Sequence, residues 1–292
     1  MGSWEIPVNE EETIDVWVRD ELSIWETKMK RMINDLKKYG KYVIYAGQSE
    51  LKAEVANSYL NWLWWVIEPF CFMLVYAFVF GVIFDSQLQY FPIFIFIGIT
   101  VWDFFNRMLK ASVSSVKNSK AIVSKVYIPK YMLILVKGYV NGFKMLVSFA
   151  IVFGMILVWG VPITWKFLFI IPILLTLFVI TFGVCTFLLH FGVYVDDLAN
   201  VLNIFLRMMF YLTGIFYDLH AKVGAHFGNK VADWITELNP VAVMLASLRR
   251  VLLYGELPHY KWMIGWFLIG LVISWFGIRL IYKNENSYVK VI

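Results

Sequence analysis

Apolar runs of bilayer length recur along this chain, separated by short polar interruptions. A helix needs about 20 such residues to span the hydrocarbon core. The first run lies within residues 57–84, where Glu68 is the one formal charge between Trp62 and Phe84. Just upstream, residues 48–60 are polar on one side, with Leu51, Val55 and Tyr59 recurring at helical spacing. This pattern predicts an interfacial helix that becomes a span through the cluster Trp62, Trp64 and Trp65. The rest of the chain is expected to be organised around this first span. Further upstream, Val18, Leu22, Trp25, Met29, Met32 and Leu36 mark one face of another helix. Cations fill its other faces, so it suits anionic headgroups or a docking partner. Gly40 and Gly47 bracket an expected connector, and residues 1–12 are acidic and expected to be disordered.

A second span is predicted over residues 91–109 after a turn at 85–89, a third over 131–159, a fourth over 167–194 and a fifth over 198–216. A sixth follows over residues 262–282 and ends in a short polar tail. Between the last two, residues 241–254 form an apolar helix opened by Asn239-Pro240, too short to cross, which reads as re-entrant or interfacial. The expected fold is therefore an all-α integral membrane protein with six transmembrane helices, an N-terminal amphipathic interfacial helix and short re-entrant helices before the last span. Residues 1–47 form a cytoplasmic arm in this division, and residues 48–292 the transmembrane domain. No inverted repeat of the kind many secondary transporters carry is visible.

Composition agrees: 60% of the residues are hydrophobic and 16% charged, against about 25% charged in ordinary soluble domains. The net charge of +5 is not gathered into one basic, aromatic-interleaved surface, so nucleic acid is not an expected partner. Topology explains it better. With six spans, 17 Lys and Arg fall on the side of the termini and six on the other, which places both termini in the cytoplasm. Cys71 and Cys185 lie inside apolar runs, as packing residues do, and no secretory signal opens the chain.

Charges inside spans mark the candidate chemistry, because a charge at the bilayer centre costs at least about 3 kcal/mol. Lys137, Asn141, Lys144 and Ser148 share one face of the third span. Lys144 lies about 20 Å along the helix from Tyr131, too deep for easy snorkelling. Asn200, Asn203 and Arg207 form a similar stripe on the fifth span. Lys137, Asn141, Lys144, Asn203 and Arg207 are thus candidates for a cationic passage suited to an anionic substrate. The alternative is internal pairing, with Glu68 or Asp103 as partners, that only holds the bundle together. His190, His220, His226 and His259 lack metal-ligand spacing, so no metal site is expected. Gly40-Lys41 lacks the earlier glycine and the hydroxyl of a phosphate loop, so the energy for any uphill movement is expected to come from a partner or an ion gradient.

Four segments together carry a family resemblance: NSYLNWLWWVIEP at 57–69, FVFGVIF at 78–84, KVYIPK at 125–130 and LNPVAVMLASLRRVLLYGELP at 238–258. In this order and spacing the chain resembles the type-2 ABC permeases that export polysaccharides and teichoic acids, over residues 50–282. The resemblance implies a homodimer of six-span subunits in the plasma membrane, paired with two ATP-binding subunits. It implies a coupling helix within residues 114–129, which places Ser114, Lys117, Lys120, Tyr127 and Pro129 at the ATPase contact, with Asp196 and Asp197 at a second contact. It also implies short helices around an outer exit, with Asn239, Pro240, Arg249 and Arg250 in that region. The cargo class is a glycan or polyol-phosphate polymer on an undecaprenyl diphosphate carrier, wall teichoic acid first and O-antigen or capsule next. Two departures stand out: Asp196-Asp197 where the family often has Arg-Asp, and Arg250 where an acidic residue is common. A membrane-embedded transferase acting on lipid-linked sugars and an ion-coupled flippase are the rival readings.

Overall fold

The computed structural model describes residues 10–56, 59–83, 88–219, 224, 226 and 228–291. Among them the chain is helical, with turns and no strand. We number the helices α1 (Glu10–Val55), α2 (Trp64–Tyr76), α3 (Phe91–Val113), α4 (Ser115–Asn118), α5 (Lys120–Val123), α6 (Tyr131–Val158), α7 (Ile170–Tyr194), α8 (Leu198–Leu212), α9 (Asn229–Leu238), α10 (Pro240–Leu252) and α11 (Tyr260–Val291). A π-helical segment, Ala77–Ile83, continues α2, and a 3₁₀ turn, Trp165–Phe169, leads into α7. The disorder expected for residues 1–12 lies outside the described residues up to residue 9, and from Glu10 the chain is helical. The end of the first span at Phe84 and most of the turn after it also lie outside the described residues.

Five helical stretches are long and apolar enough to cross a membrane: Trp64–Gly81, Phe91–Val113, Tyr131–Val158, Trp165–Tyr194 and Tyr260–Tyr288. The fifth expected span is shorter than predicted. Its helix, α8, has 15 residues, about 22 Å against a core of about 30 Å. It stops where Gly214 turns to a left-handed φ of +71°.

The organising element is α3, not the first span. Ile93, Ile95, Phe96, Ile97 and Met108 of α3 are fully buried, and α2, α6, α7, α8 and α10 all pack on it. By contrast Phe70, Phe72, Leu74, Val75 and Phe78 of the first span are exposed. Apolar content alone does not tell a lipid-facing helix from a central one. On the far side of α3, α7 and α11 pack closely along small residues. Gly270 and Gly277 of α11 leave no room for a Cβ against Ile180 and Thr186, nor does Gly183 of α7 against Ser274. Close approach through glycine is a usual way for helices to associate in lipid, where burial of apolar surface gives little driving force.

The N-terminal arm differs most from expectation. α1 is one helix of 46 residues that runs through Gly40 and Gly47 without the predicted connector. Gly47 lies in the contact with α6, where a Cβ would collide with the Tyr139 ring. Packing therefore outweighs the roughly 1 kcal/mol that glycine costs inside a helix. The expected polar tail is likewise helical, since α11 continues to Val291 and buries Tyr288, whose hydroxyl lies 2.6 Å from His190 Nδ1.

Candidate functional site

A cleft of about 500 Å³ opens between α2, α3 and α8. One wall is the α3 face carrying Asp103, Asn106, Arg107 and Lys110, which helical periodicity places together. Glu68 of α2 faces it, and α8 contributes Asn203 and Arg207. Arg107 Nη2 lies 3.5 Å from Glu68 and 3.7 Å from Asp103. The Asn106 side-chain oxygen is buried without a hydrogen-bond partner. Phe72, Tyr76, Trp102, Phe210 and Tyr211 complete the lining with aromatic surface. Arg107, Lys110 and Arg207 outnumber the two carboxylates, so the cleft is net cationic. Arg207 is exposed in the single subunit, about 14 Å into α8 from its start, near mid-depth for a bilayer core of about 30 Å.

The two polar stripes separate in space. Asn203 and Arg207 line the cleft, whereas Lys137 and Lys144 turn to α1. Lys137 pairs with Glu50, and Lys144 Nζ lies 2.5 Å from Glu54. Asn141 is buried between them, donating to the Lys137 carbonyl at 2.9 Å. Internal pairing is thus what the structure shows for both lysines, with partners on the arm rather than Glu68 or Asp103. Glu54 reaches Lys144 because α1 runs beside α6. Lys144 still borders a small recess with Trp65, Glu68 and Arg107, so the stripe touches the back of the cleft.

The candidate coupling residues gather at the end of the bundle where α3, α7 and α8 meet the loop. Ser114 precedes α4, and its hydroxyl accepts from Asn118 at 3.2 Å. Lys117 Nζ lies 2.5 Å from Asp196, joining the loop to the turn before α8. That hydrogen bond from Lys117 holds the Asp196 carboxyl below the usual aspartate range. Asp197 is exposed, and its carbonyl accepts from Asn200 and Val201 at the start of α8. Lys120 opens α5, and Pro129 is buried. Tyr127 donates to Glu285 of α11 at 2.9 Å and accepts from Arg31 of α1 at 2.8 Å. Beside them, burial pushes the Lys130 ammonium down in pKa, partly offset by Glu285. Ile122, Val126, Tyr194 and Val195 expose apolar surface at this same end.

With these features in place, similarity to known proteins is decisive. A family model described as "ABC-2 type transporter" matches residues 44–253. The chain belongs to the ABC-2 type transporter family. It is a multi-pass membrane protein and a transport subunit of that family. The "O-antigen export system permease protein RfbA" of Klebsiella pneumoniae is 22% identical over 244 residues, which are 83% of this chain and 92% of that protein. The protein of the same name from Myxococcus xanthus is 23% identical over 267 residues, 90% of this chain and 100% of that protein.

At the opposite end of this ABC-2 chain, the expected outer residues form a buried brace. Asn239 caps α10, accepting from Val241 and Ala242, and donates to Thr213 at 3.1 Å, while Pro240 takes the first helical position. Arg249 is 6% exposed, and its guanidinium donates to the carbonyls of Phe94, Gly214 and Ile215 at 2.7–3.2 Å. It also lies 3.3 Å from the centroid of the Phe94 ring. The carbonyls it satisfies include those freed where α8 unwinds, which at membrane depth need a partner. Arg250 is more exposed, pairing with Glu256 at 3.0 Å. A cavity of about 580 Å³ lies there, lined in part by Tyr217, Asp218, Asp233, Glu237 and His259.

Sequence reasoning missed Glu68, Asp103, Asn106, Arg107 and Lys110 as one site. The signal was available in part, since 103, 106, 107 and 110 share a helical face. The contribution of α2 was not, because nothing in the spacing fixes which helix packs beside which.

Proposed function

We propose that this chain is the membrane half of an ATP-driven exporter of a lipid-linked polysaccharide, moving it outward across the plasma membrane. In this reading two copies form a dimer of six-pass subunits, with α8 and the turns after it completing the fifth pass. Both termini lie in the cytoplasm, as the excess of Lys and Arg on their side favours. Two ATP-binding subunits dock on α4, α5 and the turn at Asp196, and they hold the ATP and Mg. The exposed apolar surface at Ile122, Val126 and Val195 supports a protein partner there. The cargo is an O-antigen-type glycan on an undecaprenyl diphosphate carrier. The earlier preference for teichoic acid finds no support in the relatives, whose names specify O-antigen.

The observation that carries this reading is the cationic, aromatic-lined cleft open on the side of α2 and α8. A cation such as Arg207 at lipid depth is costly against hydrocarbon, and the cost is avoided if the cleft faces an aqueous passage. Aromatic rings offer stacking surface to sugars, and Arg107, Lys110 and Arg207 offer charge to the diphosphate. The test is export of polymer to the cell surface in bacteria that lack their own O-antigen permease and carry this chain with its ATPase. Surface polymer is expected with the native chain and at least about tenfold less with Arg207→Glu, a change of about 1.4 kcal/mol in transport. ATPase copurification is expected to be unchanged. Equal export by the variant would remove the cleft from the path, and rescue only of teichoic acid export would reverse the cargo order.

A further inference from the structure

A second recess, of about 420 Å³, lies between α1 and α11, and shares no lining residue with the cleft. Its wall holds three cations, Arg31, Arg279 and Lys283, together with Met32, Trp275, Ile278 and Tyr282. Trp275, Arg279 and Lys283 follow one another at four-residue steps along α11. Arg31 is held in place by Glu285 at 3.0 Å and lies over the Tyr282 ring at 4.3 Å. Glu285 and Asp35 therefore offset Arg31 in part, while Arg279 and Lys283 keep the mouth positive. The depth also fits. From Lys261 to Arg279 the helix carries no other formal charge, and those 18 steps cover about 27 Å, close to one hydrocarbon thickness. Arg279 thus emerges at the phosphate plane, with Trp275 at the interface below it, the usual level of aromatic belts.

We propose that this recess seats the phosphate headgroup of an anionic phospholipid in the leaflet on the side of the termini. Basic pockets between helices at such a boundary bind anionic headgroups. A lipid is favoured over a free anion because the apolar track continues: Val272 and Leu268, one and two turns deeper on the same face as Trp275, are exposed and can carry an acyl chain. A bound lipid bridges α1 to α11, and through Arg31 it reaches Tyr127 in the loop ahead of α6. The membrane's anionic lipid content then helps decide whether the arm stays docked.

Native mass spectrometry of the purified full-length permease, titrated with phosphatidylglycerol or phosphatidylcholine, tests this. Phosphatidylglycerol is expected to be retained preferentially. Arg279→Gln with Lys283→Gln is expected to weaken its retention roughly thirtyfold, from the loss of two cations at the surface. Both side chains are exposed, so the variant folds, and an unchanged elution profile checks that. Arg279→Lys keeps the charge and keeps the lipid, and Lys261→Gln at the other end of α11 changes nothing. Undiminished retention in the double variant, or equal retention of phosphatidylcholine, overturns the proposal. Competition by millimolar inorganic phosphate overturns it as well, by showing a site for free anions.

Discussion

At the scale of single residues, charges within the bundle divide into those that hold it together and those left facing open space. Arg249 belongs to the first group. Replacing it with Leu leaves the buried carbonyls of Gly214 and Ile215 without this donor, each costing about 1–3 kcal/mol. Arg249→Leu is therefore expected to destabilise the chain by about 3–5 kcal/mol, seen as a lower melting temperature in detergent. A melting curve that overlays the native one would show the brace to be dispensable. Lys144 is the sharper case, because both readings predict that Lys144→Glu harms export. Its pairing with Glu54 separates them. If the pair acts by joining α6 to α1, then Lys144→Glu combined with Glu54→Lys restores most of the export that either single change loses. If Lys144 acts on cargo, the swapped pair stays as impaired as Lys144→Glu alone. The Lys117–Asp196 pair has its own signature in pH. Because the folded-state pKa of Asp196 is depressed, its contribution is complete above the ordinary aspartate value near 3.8 and is lost as pH falls through the folded value. Carbodiimide cross-linking of the two is expected to show the contact unaltered from pH 6 to 8.

At the scale of elements, Gly47 shows why α1 docks where it does. Gly47→Val places a branched side chain where the Tyr139 ring sits, and overpacking of this kind costs about 1–3 kcal/mol. The expected result is faster proteolysis of the arm with the rest of the bundle intact, and a cleavage rate equal to the native one counts against the contact. This helix also marks the limit of what was legible beforehand. The apolar face from Val18 to Leu36 predicted a helix, and its first half, up to residue 29, lies where side chains are outside the described residues. Glycines at 40 and 47 read as breaks because isolated propensity disfavours them, yet a close helix contact gives the second a purpose. The spans α3, α6, α7 and α11 were visible as runs, and the start of α10 was visible in Asn239-Pro240. Neighbour relations were not: the pairing of Lys137 with Glu50, the centrality of α3 and the early end of α8 all depend on which surfaces meet. The cleft was half legible, through Asn203 and Arg207, because intramembrane charge is informative even before its neighbours are known.

At the scale of the whole molecule, one side of the subunit is unlike the others. α8 exposes Val201, Ile204, Phe205, Met208, Tyr211 and Leu212, and the same helix carries Asn200 and Arg207, also exposed. Apolar residues by themselves fit lipid, as they do at Leu268 or Leu271 of α11. A guanidinium among them does not, given the cost of a charge in hydrocarbon. A second copy placed against α8 and the adjoining α2 removes that conflict, since two clefts then face a shared interior and the apolar residues seal its edges. A C₂ axis brings a residue close to its own counterpart, which makes the arrangement measurable. In a chain with Cys71→Ser, which removes the exposed native thiol, Phe205→Cys is expected to cross-link between copies in membranes. Leu268→Cys, equally exposed on the other side of the bundle, is expected not to. Cross-linking through 268 in place of 205 would turn α8 toward lipid and leave Arg207 needing another explanation. If 205 cross-links and the tethered dimer still hydrolyses ATP with its partner but no longer exports polymer, then separation of the two α8 helices is the step that lets cargo through.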